Sequence, residues 1–205
     1  MKKVYNKILL MLLLSVFSVT QAEALTPQQL IKQTSDQVLN TLKNNKSVYD
    51  KDPEKVFELV NDIILPHMDF RAMSKLALGQ HWRDANEIQQ EAFVDAFKIL
   101  LVRTYGRSLS EYTNQVIEYL PYQPPAEGKR TVLVQTQIKQ DTGPAIPIDY
   151  RLRIKDDIWK VFDIKIDGIS LVTNYRNSFA SDIRKVGMDG LIDKLKSKYD
   201  EKATS

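Results

Sequence analysis

The clearest candidates for chemistry are two aspartates at the end of one apolar segment, Asp163 and Asp167. Four positions apart on an extended strand, their side chains point to the same face, where two carboxylates could act as acid and base. A simpler interpretation places Asp167 in a turn with Gly168 and pairs Asp163 with a basic neighbour. The residue types favour this second interpretation, and an enzyme that uses Asp163 as a base remains an alternative.

Other catalytic and metal-binding patterns are weak in this chain, which has two histidines and no cysteine. His67 lies two positions before Asp69, but no second histidine or carboxylate pair follows at ligand spacing. The surroundings of Ser170 do not match the nucleophile elbow of a hydrolase, and we expect Ser170 at a helix N-terminus. The sequence therefore predicts no catalytic residue, no metal site and no enzymatic activity.

The first residues have the order of a secretory signal. Lys2 and Lys3 precede an apolar run at residues 8–19, and the small-x-small pattern of residues 22–24 is typical of a cleavage site. We therefore predict a signal peptide at residues 1–24 and a single domain at residues 25–205. Because an exported chain without cysteine has no disulfide, its stability must come from a hydrophobic core.

Charge excludes one class of partner. The chain has 29 basic and 26 acidic residues, and the predicted leader holds three of the lysines and one of the glutamates. The remaining domain is nearly neutral, so it lacks the basic excess that is typical of a nucleic-acid-binding protein. We predict no nucleic-acid partner.

The chain is helical first, β-rich next and helical again. Apolar spacing and capping residues predict helices that begin at Thr26, near Asp52, near Asp69 and at Asn86. Alternation then predicts strands at residues 115–120, 132–138, 148–154 and up to Gly168, where a strand turns directly into another helix. This order predicts an α+β fold with a twisted antiparallel sheet of about four strands and helices packed on one face.

Aromatic and aliphatic residues on these elements can face one interior. A well-packed core is the simpler explanation for them, and a cavity is the alternative. They are Phe70, Met73, Leu76, Phe93, Phe97, Leu100, Leu101, Tyr105, Val132, Val134, Tyr150, Leu152, Val161, Ile164, Val172, Tyr175 and Phe179.

Four segments resemble one family when they are taken in order and with their spacing. They are LGQHWR at residues 78–83, the aromatic helix pattern at residues 93–105, WKVFDIKIDGISLVTNYRNSF at residues 159–179, and the glycine pair in residues 187–191. This arrangement resembles the MlaC family, the periplasmic phospholipid-binding proteins of the Mla lipid-transport pathway, also called toluene-tolerance auxiliary proteins. The resemblance covers nearly the whole of the predicted mature chain.

The resemblance implies a periplasmic carrier of glycerophospholipids with a deep apolar cavity between sheet and helices. Such a carrier moves lipid between an outer-membrane lipoprotein-porin complex and an inner-membrane ABC-transporter complex, and so maintains outer-membrane lipid asymmetry. Its membrane association is peripheral and transient, and phospholipid is its cargo, with no cofactor. The resemblance makes the seventeen apolar residues above candidate lipid-binding residues.

Two further questions stay open. The stripe of Arg151, Arg153 and Lys155 on the polar face of its strand is either a docking surface for partners or an ordinary solvated face. The alternatives to a carrier are a small α+β periplasmic enzyme, with Asp163 as its base, and a ligand-free periplasmic adaptor with a solid core.

Overall fold

The computed structural model describes residues 25–52, 54–110, 116–140 and 142–200, with the side chains of residues 107, 108, 110 and 198–200 excepted. The predicted signal peptide and the first residue of the predicted strand at 115–120 lie outside these ranges. Helices precede and follow an antiparallel sheet, as predicted.

The helices are joined by short irregular turns. After residue 59 the chain passes through a π-helical turn (Val60–Ile64) and a 3₁₀ turn (Leu65–His67), and a second 3₁₀ turn (Thr173–Tyr175) precedes the last helix. No helix within the described ranges is long and apolar enough to span a membrane. The helices are α1 (Pro27–Asn44), α2 (Lys46–Lys51), α3 (Lys55–Leu59), α4 (Phe70–Leu78), α5 (His81–Asp84), α6 (Glu87–Ser110) and α7 (Arg176–Asp200).

Capping residues set the helix starts where the sequence predicts them. The Thr26 hydroxyl accepts from the backbone N–H of Gln29 at 3.2 Å, and the Gln29 side chain accepts from the Thr26 N–H at 2.9 Å. Asn86 and Gln89 make the same reciprocal pair before α6. These boxes satisfy backbone donors that a helix start otherwise leaves unpaired.

Two details of the helical prediction are wrong. The segment that begins near Asp52 is not one helix, since only five of its residues form α3 before the backbone widens into the π turn and then tightens at Pro66. A glycine within a helical pattern predicts a kink or a division of the helix at Gly106, but Gly106 lies inside a continuous α6. A Cβ at Gly106 would lie 3.0 Å from the ring of Phe57, so this glycine allows close packing of α6 on α3.

Within the described residues the sheet has five antiparallel strands in sequence order, one more than the approximate count predicted. The additional strand is a short hairpin partner that follows Gly168. The strands are β1 (Val116–Tyr119), β2 (Thr131–Lys139), β3 (Ile146–Lys155), β4 (Ile158–Ile166) and β5 (Ile169–Ser170).

The predicted direct passage from strand to helix at Gly168 is therefore wrong. Asp167 and Gly168 have φ values of 50° and 77° and form a two-residue turn into β5, because Ile166 pairs with Ile169. Ser170 lies in β5 and not in a helix. Its hydroxyl still acts as a cap for the 3₁₀ turn that follows, since it accepts hydrogen bonds from the N–H groups of Val172 and Thr173 at 3.3 and 3.0 Å.

A β-bulge in β4 determines which side chains share a face. Leu152 pairs with Val161 and Arg151 pairs with Asp163, so Phe162 is an extra residue between two paired positions. The predicted alternation through β4 fails at this point. Val161 and Asp163 lie on opposite faces although they are two positions apart, and all three residues of the bulge are buried.

The core divides into three clusters. The helical cluster joins α4, α5, α6 and α7, and the sheet cluster joins Leu30 and Ile31 of α1 to Val134, Leu152 and Val161. A smaller cluster joins the end of α1 to α3 through Val38, Leu42 and Leu59. Since α1 contributes to two of the clusters, it links the sheet to the irregular segment after α3.

The turn between β3 and β4 provides a test of backbone strain. Asp156 and Asp157 both have positive φ, 50° and 58°, in a two-residue turn between the paired residues Lys155 and Ile158. We expect Asp157→Gly to stabilise the protein by about 0.5 to 1 kcal/mol, because glycine adopts this conformation without a Cβ penalty. Urea unfolding followed by circular dichroism measures the change.

Gly168→Ala is the matched control for this turn. Gly168 has a φ of 77°, and a Cβ placed there has no atom within 4 Å, so the substitution adds backbone strain alone. It should destabilise by about 1 kcal/mol. A less stable Asp157→Gly variant beside an unaffected Gly168→Ala variant would contradict the strain argument.

Candidate functional site

The seventeen predicted lipid-binding residues separate into two groups. Eleven belong to the helical cluster, and six belong to the sheet cluster. Met68 packs against both clusters. The helical group is Phe70, Met73, Leu76, Phe93, Phe97, Leu100, Leu101, Tyr105, Val172, Tyr175 and Phe179, and the sheet group is Val132, Val134, Tyr150, Leu152, Val161 and Ile164.

Aromatic rings fill the centre of the helical cluster. Phe93 stacks on Phe97 with ring centroids 5.5 Å apart, and Phe179 meets both rings edge-on at 5.4 and 5.6 Å. Tyr175 stacks on Phe179 at 5.3 Å. These are contact distances for aromatic pairs, so the rings pack on one another and leave no room between them for an acyl chain.

Tyr105 is the polar group at the edge of this aromatic packing. Burial, followed by a side-chain hydrogen bond with Tyr175, raises the pKa of Tyr105 to about 12. The hydroxyl is therefore neutral at physiological pH. Its hydrogen bond satisfies a polar atom that would otherwise be costly to bury.

The sheet group lies on one face of β2, β3 and β4, which we call the apolar face. In the strand register Val132, Leu152 and Val161 form one row, and Val134, Tyr150 and Ile164 form the next. Every position of β1 to β4 on this face is uncharged. The face comprises Ile117, Tyr119, Val132, Val134, Thr136, Ile138, Ile146, Ile148, Tyr150, Leu152, Ile154, Trp159, Val161, Ile164 and Ile166.

Tyr150 is the most polar side chain near the middle of the apolar face. The pKa of Tyr150 is raised to about 12, chiefly by burial, while a hydrogen bond with the Thr136 side chain lowers it and the nearby Tyr119 raises it. The phenol is neutral under physiological conditions. No charge therefore interrupts this face, which suits contact with hydrocarbon.

The apolar face continues along α1. Leu30 and Ile31 cover the sheet, and about two to three turns later Val38 and Leu42 pack on Leu59 of α3. The sequence predicted this helix from the same residues but did not place them in the site. The missed signal is the apolar stripe of α1, which runs over more than three turns.

A cleft of about 300 Å³ opens where α1 meets α2, α3 and the π-helical turn. Leu59 and Ile63 provide apolar walls, and Lys55, Glu58 and Asp62 lie at its solvent side. None of the seventeen predicted residues lines this cleft. No sequence pattern predicts this cleft, although all of its residues lie between Thr41 and Ile63, because it depends on how these consecutive helices pack on one another.

The candidate acid and base pair takes the simpler of its two predicted forms. Asp163 is buried, accepts from the Ser170 hydroxyl at 2.6 Å, and lies 3.4 Å from the guanidinium of Arg151. Asp167 forms the turn, where its backbone N–H donates to the carbonyl of Pro147. The prediction that Asp163 pairs with a basic neighbour is confirmed.

His67 and Asp69 serve different local roles. Burial and the nearby Lys160 lower the pKa of His67, which favours its neutral form. Asp69 caps α4 through the N–H of Ala72 and lies 2.7 Å from the Nε of Arg153. Within the described ranges no three histidine or carboxylate side chains are grouped so that they could hold a metal ion.

These observations define a class of protein. It is an α+β protein with an open antiparallel sheet and an uncharged apolar face under its first helix. Residues 32–197 match the family model described as MlaC protein. The chain belongs to the MlaC family.

Similar proteins agree with this assignment. The toluene tolerance protein ttg2D of Pseudomonas putida is 30% identical over 181 residues, 88% of this chain and 83% of the relative. The intermembrane phospholipid transport system binding protein MlaC of Haemophilus influenzae is 25% identical over 91% of this chain and 89% of its own length. The solved structure of a phospholipid-binding protein from Ralstonia solanacearum, in complex with a phospholipid, is 34% identical and matches with a TM-score of 0.77 over 86% of this chain and 98% of that one.

Titration of Tyr150 tests the burial of the apolar face. Its raised pKa means that the folded state holds the phenol proton more tightly than the unfolded state, whose tyrosine titrates near pH 10. Its contribution to stability is complete below pH 10 and is lost as the pH rises towards 12. Absorbance at 295 nm, compared between the wild type and Tyr150→Phe, should show one tyrosinate that forms near pH 12. A midpoint near pH 10 would show that the face is open to water.

Removal of the Asp163 carboxylate tests whether its role is structural. We expect Asp163→Ala to cost about 3 kcal/mol of unfolding free energy, because a buried charged acceptor of two side chains is lost. Glu91→Ala, which removes an exposed ion pair with Arg71, should cost less than about 1 kcal/mol. Thermal or urea denaturation distinguishes the two variants, and equal stability for both would leave Asp163 without this structural role.

Proposed function

We propose that this protein binds a phospholipid and carries it through the periplasm between the outer-membrane lipoprotein-porin complex and the inner-membrane ABC-transporter complex of the Mla pathway. The similarity to the Ralstonia phospholipid-binding protein, whose structure contains the lipid, carries this proposal. That similarity extends over nearly all of the relative's length, so it includes the part of the fold that holds its lipid.

We place the acyl chains against the apolar face and the stripe of α1. Val132, Tyr150 and Ile164 are only partly buried although they belong to the sheet cluster, so they retain surface that a ligand can cover. The helical cluster is filled by its own rings and supports the sheet from beside it. The proposed lipid contacts are therefore Val132, Tyr150 and Ile164 of the predicted set. The buried residues Val134, Leu152 and Val161, with Leu30 and Ile31 of α1, form the packed base of this site.

Energetics favour exchange between such a site and a membrane. Burial is worth ~0.8 kcal/mol per methylene, so two acyl chains with roughly 30 methylenes gain on the order of 20 kcal/mol on leaving water, whether they enter a bilayer or a dry protein interior. The difference between the two environments is small. A carrier of this kind needs no catalytic group, and the direction of transfer depends on the partner complexes.

The lipid content of the protein tests the proposal. We expect protein that is exported, purified without detergent and extracted with organic solvent to release phospholipid in stoichiometric amounts, as measured by mass spectrometry. Protein that is free of lipid in every preparation would contradict the carrier and support an adaptor with a solid core.

Two matched valine substitutions locate the lipid. Val132→Asn on the apolar face should remove most of the bound lipid and cost less than about 1 kcal/mol of stability, because the polar group replaces a partly covered side chain. Val172→Asn in the helical cluster, where the side chain is fully buried, should cost about 3 kcal/mol and leave the lipid content of the folded fraction unchanged. The reverse pattern would place the lipid among the helices.

A further inference from the structure

The face of the sheet opposite the apolar face has a different chemistry. Arg151, Arg153 and Lys155 of β3 lie on it, with side chains that are 42, 42 and 43% exposed. Lys160 is on the same face, because it pairs with Arg153 across the strands. We call these four residues the basic face.

Buried carboxylates hold the two arginines of the basic face from beneath. Asp69 is fully buried and lies 2.7 Å from the Nε of Arg153, and Asp163 has 1% of its side chain exposed and lies 3.4 Å from Arg151. The ring of Phe162 lies under the Arg151 guanidinium at 4.8 Å. These contacts restrict the arginine side chains before any partner arrives, which lowers the entropy cost of binding.

Each guanidinium retains donors for a second acceptor. Arginine has five N–H groups, and the contacts with Asp69 and Asp163 use only part of each fork. The outward part is exposed to solvent, and the planar fork fits a carboxylate. The basic face can therefore bind carboxylates from outside the molecule while its internal ion pairs remain.

Apolar side chains lie between these charges. Leu133 pairs with Arg151 and is 43% exposed, and Ile158 pairs with Lys155 and is 55% exposed. Large exposed apolar residues beside arginines are typical of protein interfaces. Asp149 is the acidic strand residue near them, and its carboxylate is occupied by the Gln135 amide at 3.0 Å.

We propose that the basic face, with Leu133 and Ile158, is a docking surface for an acidic segment of a partner protein that also carries apolar side chains. The combination favours a protein over an anionic membrane, because strands about 4.8 Å apart present charged and apolar groups at fixed positions. A carrier must dock in order to deliver its cargo, so the inference extends the proposed function. Its test does not require bound lipid.

The test uses a synthetic twelve-residue peptide of glutamates with two leucines, and a control peptide in which glutamine replaces glutamate. Amide chemical shifts of the ¹⁵N-labelled protein, recorded at physiological salt, locate the peptide. We expect shifts at residues 131–135 and 151–160 with the acidic peptide and none with the control. Shifts confined to other surfaces, or the absence of shifts, would overturn the proposal.

Charge reversals provide the matched comparison. Lys155→Glu should weaken binding of the acidic peptide about tenfold, since attraction becomes repulsion. Lys98→Glu reverses a lysine on α6 with a similar exposure, 37% against 43% for Lys155, and should leave the affinity unchanged. Leu133→Ser removes no ion pair and should also weaken binding of the acidic peptide. It replaces the Lys155 variant in the test if that variant proves unstable. Equal effects of the Lys155 and Lys98 substitutions would show only nonspecific charge attraction and would overturn the proposal.

Vesicles that contain phosphatidylglycerol distinguish a membrane from a protein partner. Shifts of the same amides with vesicles but not with the peptide would reject the protein partner. Mass spectrometry of the protein before peptide or vesicles are added reports its bound lipid separately, so a failure of docking and a failure of lipid binding are distinguishable.

Discussion

The bulge at Phe162 separates an apolar face of the sheet from an ionic one. If β4 were a regular strand through Phe162, Asp163 would share a face with Val161, and a carboxylate would enter the surface that packs under α1. With the bulge, Val161 joins the sheet cluster and Asp163 meets Arg151 and Ser170. The cost of a buried charge makes this separation a requirement, because an unpaired carboxylate is not tolerated in a hydrocarbon environment.

The two buried carboxylates, Asp69 and Asp163, also connect the sheet to α4 and to the turn that precedes α7. Asp69 starts α4 and contacts Arg153 of β3, and Asp163 of β4 holds Ser170, whose hydroxyl caps the turn before α7. Both carboxylates are therefore covered and both have hydrogen-bond donors. Breaking one partner of such a buried pair is costly, so these contacts hold the two helices at fixed positions relative to the sheet.

The two large clusters have different roles: the helical cluster is tightly packed, and the sheet cluster is the proposed site of lipid binding. In the helical cluster aromatic rings contact one another, and that dense packing gives rigidity. On the apolar face several side chains remain partly accessible and uncharged, which suits an exchangeable apolar ligand. Apolar composition alone does not distinguish these two environments, since both use the same residue types.

The sequence by itself determined the order of elements, the capped starts of α1 and α6, the alternation of β2 and β3, and the family. These features depend on neighbours a few positions away, which periodicity and capping residues report directly. Only the tertiary structure decided the faces of Val161 and Asp163, the short β5 after Gly168, and the division of the seventeen apolar residues between two clusters. Those depend on register and packing between segments far apart in the chain, and the pattern of a single strand or helix contains no information about the partner it meets.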